Sequence, residues 1–155
     1  MSGHRRPLAE VPIRMRVAWL VCAALLASTV AVAQDRQVIQ PGGMLSAAVR
    51  VGPMLYLSGQ LGTDPATRQL ATGGIGPETR QALENIKRLV EENGSAMHRV
   101  VKCTVFLADI TDFAAMNEVY RTFFPTDPPA RSTVAVAGLV RQARVEIECM
   151  ALAGT

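Results

Sequence analysis

The sequence is short of several things, and each shortage excludes something. It has three cysteines, two histidines, one tryptophan and only 5% aromatic residues in 155. Three cysteines are too few for a disulfide scaffold. Beyond residue 33 the only histidine is His98, and the cysteines have no ligand spacing, so no metal constellation can be read. No apolar run reaches the roughly 20 residues of a membrane-spanning helix. A useful surplus of charge is missing as well. The 16 Lys+Arg exceed the 13 Asp+Glu only because Arg5, Arg6, Arg14 and Arg16 face Glu10 alone near the N-terminus. From Gln34 to Thr155 the count is 12 against 12. With few aromatics besides, that region lacks the electrostatic and stacking surface for nucleic acid. Gly73-Gly74-Ile75-Gly76 has no following Lys-Ser or Lys-Thr, which excludes a phosphate loop. Ser58-Gly59 lacks the flanking glycine of a nucleophile elbow.

What is present begins with a leader. Arg14 and Arg16 form a positive region, and Val17 to Val32 is almost wholly apolar. Ala31-Val32-Ala33 then gives a small-x-small cleavage pattern before Gln34. The expectation is an N-terminal extension and signal peptide over 1–33, cleaved after Ala33, and a single domain over 34–155. The mature protein is then periplasmic or secreted, with no membrane attachment. A retained N-terminal anchor is the alternative. Residues 1–14 are surplus to a leader, which makes Met15 an alternative start. Cys22 follows Leu20-Val21, which lacks the small residue of a lipoprotein site.

The domain shows no internal repeat. Ala47 to Val51 and Met54 to Gly59 predict two strands around a Gly52-Pro53 turn. A Gly-, Thr- and Pro-rich loop follows, then the clearest helix, Pro77 to Asn93. Pro77 suits its first turn, Gly94 its C-terminal cap, and Ala82, Leu83, Ile86, Leu89 and Val90 one apolar face. Arg99 to Ala108 predicts a strand with Val101, Cys103, Val105 and Leu107 on one face. Thr111 or Asp112 can cap a second helix to about Phe124, with Phe113, Met116, Tyr120 and Phe123 as its apolar face. Arg131 to Ala137 and Arg144 to Ala151 predict the last strands. The order β-β-α-β-α-β-β points to an α+β sandwich, a mixed sheet with two helices on one face.

Two helices cover one face of such a sheet, yet Val105-Phe106-Leu107-Ala108 is apolar at both parities. The second face therefore needs a cover, and other copies of the chain are the natural one. Cys103 and Cys149, on strands among apolar neighbours, read as buried thiols; a disulfide in an oxidising compartment and a catalytic thiol are the alternatives. Polar residues on strands are the remaining chemical candidates. Glu146 and Glu148 alternate with Val145, Ile147 and Cys149, so both carboxylates share one sheet face. Arg131 opens a strand and offers bidentate contacts to a ligand carboxylate, against the simpler reading of a structural ion pair.

Seven ordered segments resemble the RidA/YjgF family of reactive-intermediate deaminases. They are Ala48–Gly52, Leu55–Gln60, Thr79–Ile86, Val101–Leu107, Phe113–Tyr120, Pro129–Val134 and Val145–Glu148, spanning roughly 43 to 152. The resemblance implies a chorismate-mutase-like fold, a homotrimer and sites in clefts between subunits. It implies hydrolysis of 2-imino or 2-enamino acids to 2-keto acids and ammonia, with no cofactor or metal. By it Arg131 binds the substrate carboxylate and Glu146 orients or activates the attacking water. Gly59 and Asn117 line the same cleft, and Thr133 stands where relatives carry Cys or Thr. Glu148 is the structural or intersubunit neighbour. Leu45, in Gly43-Met44-Leu45-Ser46-Ala47, replaces a tyrosine that closes over the ligand in the deaminases. Two classes of function follow. One is an imine deaminase; the other is a non-catalytic trimer that uses Arg131 to hold a small carboxylic acid. Ribonuclease action, also attached to the family, has the neutral charge of the domain against it.

Overall fold

A computed structural model describes residues 35–154. The leader and its cleavage site after Ala33 lie outside the described residues. The strands are β1 (Arg36–Pro41), β2 (Ser46–Val51), β3 (Met54–Leu57), β4 (Gln60–Leu61), β5 (Val100–Leu107), β6 (Ala130–Ala135) and β7 (Val145–Leu152). The helices are α1 (Ile75–Glu92) and α2 (Phe113–Phe123). One sheet runs β1-β2-β3-β7-β5-β6, with β4 also paired to β7. Every pairing is antiparallel except β5 with β6, whose parallel register needs the crossover that α2 supplies.

The alternation of each strand sets the two layers. Val145, Ile147, Cys149 and Ala151 of β7 are buried beside Cys103, Val105 and Leu107 of β5 and Leu55 and Leu57 of β3. Onto them pack Ala82, Leu83, Ile86, Leu89 and Val90 of α1 and Met116 and Tyr120 of α2. Burying that many branched side chains, at about 1.5–3 kcal/mol each, is what holds the layers together. The opposite face stays open. Tyr56, Val134, Met150 and Leu152 are exposed there, each by more than a third. An apolar open face is the feature that the two-sided pattern of β5 anticipated.

Several expectations need correction. Strands β1 and β4 add to the expected order. In β1 only Ile39 is buried, so it lacks the alternation that marks a strand. α1 begins two residues before Pro77, with Gly74 ahead of it, while Gly94 takes a φ of 72° just past its end as expected. Neither Thr111 nor Asp112 caps α2 through its side chain. Asp109 accepts from the Thr111 N–H at 2.8 Å and starts a short 3-10 turn that leads into the helix. That bond holds the exposed Asp109 carboxyl below its usual range. Asp112 instead accepts from Arg144 through two of its guanidinium nitrogens, Nε and Nη2, at 2.7–3.0 Å. Phe113 is 42% exposed, and Phe124, one residue past α2, is the buried ring. Finally, Cys103 and Cys149 are not free thiols. They face each other across β5 and β7 and are joined as a disulfide within the core.

Candidate functional site

The polar candidates separate into two groups, on two faces of the sheet. The first group lies where α2 crosses the edge strand β6. Arg131 is paired with Cys103 and Thr133 with Val105, so both side chains turn to the helix side. Phe113, Asn117 and Tyr120 fall at helical spacing on the α2 face beside them. The Arg131 guanidinium carbon sits 4.5 Å from the centroid of the Tyr120 ring and 5.8 Å from that of Phe113. Tyr120 is itself braced by Phe124, with ring centroids 4.8 Å apart. The two ion pairs among the described residues are Arg88–Glu92 and Arg144–Asp112, so Arg131 has no carboxylate within reach there. Two hydroxyls nearby, Tyr120 Oη and Thr133 Oγ1, are buried without a hydrogen-bond partner among the described residues. Burial pushes the Tyr120 phenol up to about 12, against the opposing charge of Arg131. The buried, unpartnered Thr133 hydroxyl, on the same face as an unpaired guanidinium, suits a site that expects an oxygen-bearing ligand.

The second group lies on the open face and at the rim of β3, β4 and β7. Glu146 stands opposite Phe106 on one side and Leu61 on the other. Gly59 precedes β4 and runs against the carboxylate. A Cβ there would meet the carboxyl oxygen and lie 2.8 Å from Glu146 Cδ. A side chain at position 59 would therefore displace the carboxylate, which is why bare backbone is needed. Ser58 fixes this corner, because its Oγ donates to Ser46 O at 2.6 Å and its N–H to Ala47 O at 3.0 Å. The same bonds bring Leu45, one residue before β2 and 64% exposed, to the Gly59 end of the molecule. Glu148 lies further along β7, in a small cavity of about 140 Å³ with Tyr56, Lys102, Thr104 and Met150. Lys102 points away from it in its bonds, donating to Ser132 Oγ at 2.9 Å and Cys103 O at 3.1 Å.

Arg131 and Thr133 thus share one face with the side of α2 that carries Asn117, while Glu146 meets Gly59, with Leu45 at the same end of the molecule. Within one chain the two groups do not meet, because the sheet lies between them. Tyr120 and Phe113 were legible only as the apolar side of a helix. Their spacing with Asn117, before an arginine that opens the next strand, is the signal that places them at a site. Among the described residues no three His, Cys, Asp or Glu side chains stand close enough to hold a metal ion.

Comparison with known proteins bears on this arrangement. The model of the family described as Endoribonuclease L-PSP matches residues 35–153. A 2-iminobutanoate/2-iminopropanoate deaminase from Mus musculus is 46% identical over 112 residues, which is 72% of this chain and 83% of that protein. One from Dermatophagoides farinae is 49% identical over 109 residues, 70% of this chain and 85% of that protein. The crystal structure of RidA from the Antarctic bacterium Psychrobacter sp. PAMC 21119 superposes with a TM-score of 0.69 at 41% identity, covering 74% of this chain and 93% of that one. The α+β, chorismate-mutase-like fold is common to these structures and to this chain.

Proposed function

The chain belongs to the Endoribonuclease L-PSP family, the RidA/YjgF family of the resemblance above, and from that premise we propose that it hydrolyses 2-imino and 2-enamino acids to 2-keto acids and ammonia. The observation that carries the reading is the Arg131 guanidinium, free of any carboxylate among the described residues and set beside the unpartnered hydroxyl of Thr133. Arg131 takes the substrate carboxylate through two parallel hydrogen bonds and so fixes the C=N carbon. Glu146 holds a water against that carbon and accepts its proton as the C–O bond forms. That proton passes to nitrogen, the hydroxyl proton of the carbinolamine follows it as the C=O bond forms, the C–N bond breaks, and ammonia leaves. One imine and one water give one keto acid and one ammonia, with no redox change.

The two groups face opposite sides of the sheet, so the proposed site takes its arginine from one copy and its glutamate from another. The exposed Tyr56, Val134, Met150 and Leu152 supply an apolar surface for such an assembly, and a homotrimer is the proposed form. Export is part of the proposal as well. The disulfide between Cys103 and Cys149 suits an oxidising compartment, which supports the leader reading. Mature protein from the periplasm or medium should begin at Gln34 and show no free thiol after unfolding.

The second reading, a carboxylic-acid binder without turnover, is favoured by Leu45. Its exposed aliphatic side chain stands where the resemblance implies a closing tyrosine. Steady-state hydrolysis of freshly generated 2-iminopropanoate separates the two. Turnover well above the spontaneous rate is expected; binding of pyruvate with only the spontaneous rate of hydrolysis would select the binder.

A further inference from the structure

An arginine that must bind a carboxylate raises a problem of support. Left free, its long side chain samples many rotamers, and ordering them costs affinity. Held by an aspartate or glutamate, it is ordered but neutralised, and its in-plane donors are spent before a ligand arrives. The structure shows a third arrangement. A guanidinium has two faces as well as an edge of N–H donors, and aromatic rings engage the faces. Arg131 lies over Tyr120 at 4.5 Å and near Phe113 at 5.8 Å. Tyr120 is buried and braced by Phe124, so the seat itself is fixed.

We propose that Tyr120, with Phe113 beside it, is the positioning residue of the site: the rings hold Arg131 by its face and leave its donor edge to the ligand carboxylate. This rests on the functional reading above and adds the device that makes its arginine competent. The phenol oxygen takes no part. It is buried without a partner among the described residues, and its raised pKa keeps it neutral at any working pH. The ring is the working element, so a phenylalanine should replace it and a leucine should not.

The test is a set of variants of the mature full-length protein, read as KM and kcat for 2-iminopropanoate. Tyr120→Leu should raise KM about 5- to 30-fold, the range for a partly desolvated cation–π contact, and move kcat little. Tyr120→Phe should restore KM to near the parental value. The decisive measurement repeats Tyr120→Leu in an Arg131→Ala background. There it should add nothing to KM, because the residue it positions is gone. A KM increase of the same size in both backgrounds, or a loss confined to kcat, would overturn the proposal. Should Tyr120→Leu not fold, Phe113→Leu at its half-exposed position carries the test. An increase of about 2- to 5-fold in KM supports the seat, and an unchanged KM overturns it. Failure of the underlying reading has a different signature. Arg131→Ala would then leave KM unmoved on its own. Failure of the seat alone shows a strong Arg131→Ala effect beside an inert Tyr120→Leu.

Discussion

The arginine group and the glutamate group are built by different means. Around Arg131 everything is side chain: two rings, an amide from Asn117 and a hydroxyl from Thr133, on a helix and an edge strand. Around Glu146 the work is done by backbone. Gly59 leaves room for the carboxylate, and Ser58 ties its corner to Ser46 and Ala47. Each group is also chemically one-sided. The first can hold an anion but has no carboxylate to accept a proton. The second has the carboxylate, but the cation on its face, Lys102, is engaged by Ser132 Oγ and Cys103 O. Their separation by the sheet is why the proposed reaction is assigned to a cleft between two copies. The exposed Tyr56, Val134, Met150 and Leu152 of the open face suit the proposed meeting with another copy.

The largest effect should come from the glutamate group. Glu146→Gln keeps shape and removes the proton acceptor, so kcat should fall about 10²- to 10⁴-fold while KM changes little. Mixing then tests the comparison itself. Glu146→Gln and Arg131→Ala chains, each impaired alone, should form shared oligomers on co-refolding. In a cyclic assembly ~25% of clefts would draw an intact arginine from one variant and an intact glutamate from the other. Activity near that fraction of the parent is expected. No recovery, in oligomers shown by mass to be mixed, would place both groups in one chain's cleft and dissolve the distinction.

The arginine group should respond more mildly and in a different parameter. Arg131→Lys keeps the charge but loses the planar fork, and a charged hydrogen bond is worth roughly 1.5–3 kcal/mol. That corresponds to about a 10- to 150-fold loss of pyruvate affinity and a matching increase in KM. Equal pyruvate affinity in parent and variant would make Arg131 structural.

How much of this was legible beforehand depends on what each feature needs. Both helices and the longer strands follow from periodicity alone, since Ala82 to Val90 and Val145 to Ala151 repeat at 3.6 and 2. β1 did not, because its five other positions are exposed, on both parities, around Ile39. β4, with two residues, is too short for any period. The disulfide needs the β5–β7 register, which sets Cys103 against Cys149 across 46 residues of sequence. Register also decides the faces. Alternation shows that Glu146 and Glu148 agree, but only the parallel pairing of Arg131 with Cys103 puts the arginine on the other side. Asp112 looked like a helix cap because a cap and an ion-pair partner have the same sequence signature; its use was settled by Arg144, 32 residues away.

The smallest expected effect bears on Leu45, and it sharpens the comparison from the glutamate side. That group has a backbone-built corner but no side chain to close over a ligand. Leu45 is 64% exposed, and its carbonyl accepts from the Gly42 N–H at 2.8 Å. Substitution there should leave folding untouched. Leu45→Tyr adds a ring and one neutral hydroxyl, and such a hydrogen bond is worth about 0.5–1.5 kcal/mol. The gain in kcat/KM for 2-iminopropanoate should therefore be about 2- to 12-fold. It should vanish in the Glu146→Gln background if the tyrosine acts only on the chemical step, and persist there in pyruvate affinity if it acts by closing over the ligand. A gain in affinity alone would mean that Leu45 tunes retention and that the chemistry was already complete without a tyrosine. No gain in either, with the fold intact, would mean that the segment before β2 does not border the cleft.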